Sequence, residues 1–353
     1  MKAGGIPPEN IITMMYNDVP FDLYNPFPGG LYNKPGDDAI DYYKGVLIDY
    51  EKGDVTKENL IKVLTGVKST GKKVLKSTSE DNVFLFYSDH GARDLLGMPN
   101  SDNLYSDELL DAIKTMHSKG MYKKFVLYVE ACFSGSIFLN FPEDLNVVAV
   151  TAANEKESSY AVYCPGEGLV HHVEMGTCLG DEFSVGWMED ADLGDNEQTL
   201  KQQFDYLVKK VQMSHVSQYG DVSYQSDRLS DFIGVRNVTA KASSNAEKPT
   251  IRYDSRDNEM LRLRYMMEHC SEADRPRWTE LYNEEMKHRE LVDLYIRSIA
   301  PSSHLFGTAK PVKNFKCYKA GIKKFESVIG KSDYAMKYYD VIANICAENP
   351  HAF

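Results

Sequence analysis

Two short segments hold residue types that together could break a peptide bond. His90 stands in Tyr87-Ser88-Asp89-His90-Gly91-Ala92, and Cys132 stands in Glu130-Ala131-Cys132-Phe133-Ser134-Gly135-Ser136. A thiol is mostly un-ionised at neutral pH, so a nearby imidazole is its natural activator. The glycines that follow, Gly91 and Gly135, permit close backbone approach, and the main-chain N–H groups of Gly91 and Cys132 could receive a developing oxyanion. In isolation His90 reads as well as a strand-end histidine and Cys132 as a buried thiol. Their surroundings have to decide.

Three apolar runs, Val83–Tyr87, Phe125–Val129 and Val147–Val150, are too short for helices and rich in β-branched and aromatic residues, which predicts strands buried on both faces. Between the first two, Leu109, Leu110, Ile113 and Met116 recur at helical spacing within Ser106–Met116. Strand, helix, strand implies a right-handed parallel crossover, and strands so joined are usually neighbours. Further helices are expected over 55–67 and 197–213. The fold class is therefore α/β, a mostly parallel sheet flanked by helices, with reactive groups gathered beyond the carboxyl ends of its strands. His90 and Cys132 fall at two such ends and are expected to face each other. Periodicity is lost from Ala240 to Pro249, and beyond it come only amphipathic helical patterns, at 258–269, 277–299, 316–329 and 333–348. The predicted organisation is a body at 1–239, a linker at 240–254 and an all-α segment at 255–353.

No stretch of some 18 apolar residues is present, so no membrane partner is expected. The net charge of −12 argues against nucleic acid. Residues 255–353 carry 16 Lys+Arg against 14 Asp+Glu, whereas residues 1–254 carry 24 against 38, which predicts electrostatic docking of the tail on the body. The cysteines Cys132, Cys164, Cys178, Cys270, Cys317 and Cys346 show neither a CxxC pair nor zinc-ligand spacing, so neither metal nor cofactor is expected. Asn237-Val238-Thr239 fits the glycosylation sequon. The opening eight residues, Met1 to Pro8, lack the apolar core of a secretory signal.

The two motifs around His90 and Cys132 closely resemble the catalytic motifs of legumains, the asparaginyl endopeptidases that include the plant vacuolar processing enzymes. Further pieces resemble the family in the right order: Gly5–Ile12, Thr151–Asn154 with Glu157–Tyr160, Leu179–Asp190 and Ser214–Gly220. The resemblance implies a caspase-like fold, a Cys132/His90 active site with Gly91 at the oxyanion, and a pocket for asparagine formed by Glu130 and Asp181. Ser158, Ser159 and Tyr160 would lie along the substrate edge, and Asp89 would influence peptide-bond making, so ligation is expected beside hydrolysis. A carboxamide offers two N–H donors and one acceptor, so such a pocket needs carboxylate acceptors and one donor. A protonated aspartate would imitate asparagine at acid pH. The tail resembles the legumain prodomain, a cap released by acid. Cys317 and Cys346 would form one of the cap's two disulfides, with no second pair evident, and Cys164 and Cys178 would close a local loop as in the plant enzymes. Implied partners are protein and peptide substrates, the chain's own prodomain and cystatin-like inhibitors, in a vacuole or lysosome. The match begins beyond the family's first central strand, so the chain is expected to be amino-terminally truncated, lacking a histidine-orienting asparagine and a pocket arginine. Phe133 replaces the usual glutamate after the nucleophile, and Ala92-Arg93 is also a departure. Two alternatives are a non-catalytic homologue that binds peptides and a relative of the glycosylphosphatidylinositol transamidase.

Overall fold

The computed structural model describes residues 1–68, 71–100, 102–193, 195–235, 249–300 and 310–353. Its centre is a sheet in which β3 (Asn82–Ser88), β7 (Lys124–Glu130) and β8 (Val147–Thr151) run parallel, with β13 (Ser217–Gly220) antiparallel to β8. In-register pairing of Asn82 with Lys124 through Ser88 with Glu130 brings the carboxyl ends of β3 and β7 level. Alternation along the strands sends Phe125, Leu127 and Val129 to one face and Val126 and Tyr128 to the other. The first face packs on α1 (Lys57–Leu64) and α2 (Ser106–Ser118), the second on α3 (Glu182–Leu193), α4 (Leu200–Lys210) and α5 (Ser230–Ile233). The result is the three-layer α/β arrangement implied by the apolar runs. Two short pairs stand apart from it, β1 (Met14–Met15) parallel to β2 (Tyr50–Glu51) and β10 (Leu169–Val170) antiparallel to β11 (Val173–Glu174).

Burial on both faces holds for β7 and β8 and fails for most of β3, where Phe84, Leu85, Phe86 and Tyr87 are only half-buried. Among the described residues β3 is the edge of this sheet, with a partner on one side only. The helices are shorter than expected where caps intervene. Thr199 and Gln202 bond each other's backbone N–H groups reciprocally, so α4 begins at Leu200. Thr56 likewise caps α1 through the Asn59 N–H.

Two smaller sheets carry the site. A three-stranded meander, β4 (Gly91–Ala92), β5 (Leu95–Leu96) and β6 (Leu104–Tyr105), leads from His90 into α2. In the other, β9 (Tyr160–Val162) lies between β12 (Gly180–Asp181) and β14 (Tyr253–Asp254). The end of the expected linker is thus a strand laid against the body. Residues 240–248 of that linker, and Asn237 of the sequon, lie outside the described residues.

The tail contains α6 (Asn258–His269), α7 (Arg275–Ile299), α8 (Phe315–Ile329), α9 (Asp333–Met336) and α10 (Tyr339–Glu348). The pattern expected as one helix over 333–348 is broken, because the Tyr338 N–H bonds the Ala335 carbonyl in a tight turn instead of continuing the α-helical ladder. Disulfides join Cys317 to Cys346, linking α8 to α10, and Cys164 to Cys178; Cys132 and Cys270 are free thiols. Tail and body share one apolar cluster, in which Ala92, Leu95 and Tyr105 pack with Val292, Ile296, Tyr318, Ile322 and Phe325.

Candidate active site

Because β3 and β7 end level, the residues after them emerge side by side. Asp89 N–H donates to the Glu130 carbonyl at 3.2 Å, and the two loops then touch at backbone distance. A Cβ on Gly91 would sit 2.4 Å from the Cys132 carbonyl oxygen, and one on Gly135 would meet the Tyr219 hydroxyl and the Asn154 backbone. Both positions therefore require glycine for want of space. Phe133 adopts a left-handed φ of 57°, a conformation that costs a bulky L-residue roughly 1–2 kcal/mol. Its N–H is held by the Glu157 carbonyl at 2.8 Å, which fixes this turn beside Cys132.

Cys132 is fully buried. Its Sγ accepts from the Ser159 N–H at 3.3 Å and lies 3.3 Å from the Ser255 hydroxyl. His90 lies at the neighbouring strand end, yet no hydrogen bond between its ring and Cys132 occurs among the described residues. Its Nε2 instead meets Asp333 Oδ2 of α9 at 3.1 Å. Burial works against the imidazolium, but the hydrogen bond and charge of Asp333, with Asp89 and Asp181 adding, hold the His90 pKa above its ordinary value. Burial pushes Asp89 up, partly offset by His90; Asp89 Oδ1 accepts the His90 N–H at 2.6 Å.

A cavity of about 530 Å³ opens beside this pair, bordered by His90, Glu130, Ser159, Asp181, Ser255 and Asn258. Glu130 is 2% exposed; its Oε2 accepts from the N–H and hydroxyl of Ser184, each at 2.9 Å, while Oε1 is buried without a partner. Burial and the nearby Asp181 drive the Glu130 carboxyl well up. Burial also raises Asp181, to about 6, against the opposing influence of His90. Asp181 ends β12, and the Cys164–Cys178 bond ties the exit of β9 to the approach to β12. Of the three residues expected along the substrate edge, Ser159 borders the cavity; Tyr160 begins β9 and pairs with Asp254, and Ser158 precedes it outside this wall.

The tail supplies residues that sequence reading did not single out. β14 runs antiparallel to β9, Ser255 N–H continues the ladder to the Ser159 carbonyl at 3.1 Å, and the Ser255 hydroxyl ends against Cys132. Arg256, 5% exposed, donates to the Gly91 carbonyl at 2.9 Å and lies 5.2 Å over the Phe133 ring. Arg252 pairs with Glu182 at 2.5 Å. Nothing local marks Ser255, Arg256 or Asp333, because each gains its role from a chain segment remote in sequence. Ser184 alone had a signal, lying one helical turn after Asp181.

The arrangement offers a buried thiol beside an imidazole, with a carboxyl-lined pocket on the same side. Comparison with known proteins agrees. Residues 1–235 match the model of the Peptidase C13 family. A vacuolar-processing enzyme of Citrus sinensis is 38% identical, over 98% of this chain and 76% of the relative. A legumain of Canavalia ensiformis is 36% identical, over 97% of this chain and 78% of its own length. The vacuolar-processing enzyme delta-isozyme of Arabidopsis thaliana is 36% identical, with coverage of 98% and 80%. The chain belongs to the Peptidase C13 family and is a cysteine endopeptidase of the legumain type.

Proposed function

We propose that the chain hydrolyses peptide bonds after asparagine, with Cys132 as nucleophile and His90 as its base, and that its carboxy-terminal helices hold it as a zymogen. The observation that carries the specificity is the cavity bordered together by His90, Glu130 and Asp181 and by the two serines that touch Cys132. A substrate strand would take the place of β14 on β9, its asparagine amide donating to the carboxyls of Glu130 and Asp181. The Cys132 sulfur attacks the carbonyl carbon and His90 passes the thiol proton to the leaving amine; water then hydrolyses the thioester. The Gly91 N–H, with that of Cys132, receives the oxyanion. Attack on the thioester by a second peptide's amine instead of water gives ligation, the outcome that Asp89 beside the histidine would bias. An aspartate substrate fits once acid has neutralised it.

The zymogen reading rests on the occupied cleft. β14 covers the β9 edge, Ser255 meets the nucleophile, and Asp333 holds the base. The relatives' names favour a vacuolar or lysosomal setting. Among the described residues, no helix is long and apolar enough to cross a membrane. The test is turnover of a fluorogenic peptide ending in asparagine, after acid treatment, by the chain and by its Cys132→Ala variant. Cleavage by the first alone is expected. A folded chain that binds the peptide without cutting it would favour the non-catalytic homologue.

A further inference from the structure

Arg252 immediately precedes β14, and with Tyr253 paired to Ala161 it comes opposite Val162 of β9. Its Nε meets Glu182 Oε1 at 2.5 Å at the start of α3, where Glu182 is 4% exposed. The body holds that carboxylate in place independently of Arg252: Oε2 accepts the N–H groups of Gln212 and Met213 at 3.1 and 3.3 Å. Val162, Tyr163 and Val185 wall a small cavity of about 90 Å³ beside it, and none of them borders the larger cavity beside His90. We propose that Glu182 is a second specificity site, one that takes the guanidinium of a substrate arginine three residues before the residue that is cut.

The spacing follows from the register. Ser255, against the Cys132 sulfur, stands in for the residue to be cut, so Arg252 stands in for the residue three before it. Apart from Arg252 and Pro249, every residue bordering the small cavity belongs to the body, so the acceptor outlasts removal of the tail strand. When β14 leaves, Glu182 loses the cation that balances it, and a recessed carboxylate without its partner is costly. A substrate arginine restores the charge-assisted bond; a small neutral residue there does not, and an acidic one adds like charge. The other cations facing the site, Lys209 and Lys210, come from α4; Lys210 reaches Glu189 at 3.3 Å, and Lys209 is exposed.

This inference rests on the proposed replacement of β14 by a substrate strand. Its test offers the acid-treated full chain fluorogenic peptides that differ only three residues before an asparagine, where they carry arginine, citrulline or alanine. Arginine is expected to raise kcat/KM over alanine at least about tenfold. Citrulline, which keeps the shape and loses the charge, should lose most of that gain, and this comparison needs no variant. In Glu182→Gln, which keeps an oxygen for the Gln212 and Met213 N–H groups, the arginine-to-alanine ratio should fall to about twofold or less. Each ratio is taken within one chain, so a general loss of activity cancels. Binding of the arginine and alanine peptides to the acid-treated Cys132→Ala chain, read by fluorescence anisotropy, gives the same ratio without turnover. Equal values for the two peptides, no binding of either, or a preference that survives citrulline or Glu182→Gln overturns the proposal. If glutamine in place of asparagine leaves the rates unchanged, the asparagine reading fails while the arginine preference stands.

Discussion

Asp333 bonds His90 Nε2 at 3.1 Å and so engages one of the two ring nitrogens of the proposed base. The pair's pH dependence has two limits. The raised His90 pKa means that its contribution to closure is complete below the ordinary value of 6.5 and is lost as pH rises through the raised value. For Asp333, burial is outweighed by His90 and the carboxyl is held below 3.8, so its contribution is present above that value and is lost as pH falls through the depressed one. The contact is therefore intact in mild acid. Asp333 is half exposed, so the pair is worth about 1 kcal/mol at most. Asp333→Asn should raise the initial rate of peptide cleavage at pH 5 by about fivefold; an unchanged rate would mean that the contact does not limit access. Ser255 borders the cavity with its hydroxyl 3.3 Å from the Cys132 sulfur, and in the proposed reading, where a substrate strand replaces β14, it stands in for the residue to be cut, with a side chain shorter than asparagine's. Ser255→Asn is accordingly expected to cause scission of the 255–256 bond that mass spectrometry detects and that Cys132→Ala abolishes.

At the scale of elements, the level ends of β3 and β7 make the site, and this much was legible in sequence: two apolar runs, a helix between them, and a chemical residue just after each. Close backbone approach at Gly91 was legible too, but its partner, the Cys132 carbonyl of a neighbouring loop, was not. Gly91→Ala should separate the His90 and Cys132 loops and lower kcat at least a hundredfold, the scale of a lost oxyanion donor, while circular dichroism stays native; retained kcat would show that the contact is incidental. The half-buried side of β3 escaped prediction because an apolar run reads alike in a central and an edge strand. The pairing of β14 with β9 was invisible too, since Tyr253-Asp254 is only two residues long and its partner lies remote in sequence.

For the whole molecule, charge count alone gave the wrong emphasis on how tail meets body. Tail cations do meet body acids, as in Lys319 with Asp107 and Glu108, but body cations also meet tail acids, as in Arg93 with Asp340 and His90 with Asp333. The joint is chiefly apolar, built from Tyr105, Leu95 and Ala92 against Val292, Ile296, Tyr318 and Phe325. A sequence cannot disclose which amphipathic faces meet, so the tail was legible as helices and not as an interface. Phe325 is 1% exposed, and Phe325→Ala should cost about 3–5 kcal/mol in this cluster and open the tail at a higher pH than wild type, read as earlier onset of activity on acidification. Onset at the same pH would assign closure to the polar contacts instead.

All of these readings depend on Cys132 being a nucleophile served by a carboxamide pocket behind a removable tail. The most direct measurement is covalent labelling of the full chain by a peptide electrophile carrying asparagine, located by peptide mapping, in wild type and in Asp333→Asn. Labelling at Cys132, faster in the variant and suppressed when glutamine replaces asparagine in the probe, is the predicted result. An unlabelled Cys132 in a folded Asp333→Asn chain, or equal labelling by both probes, would contradict it.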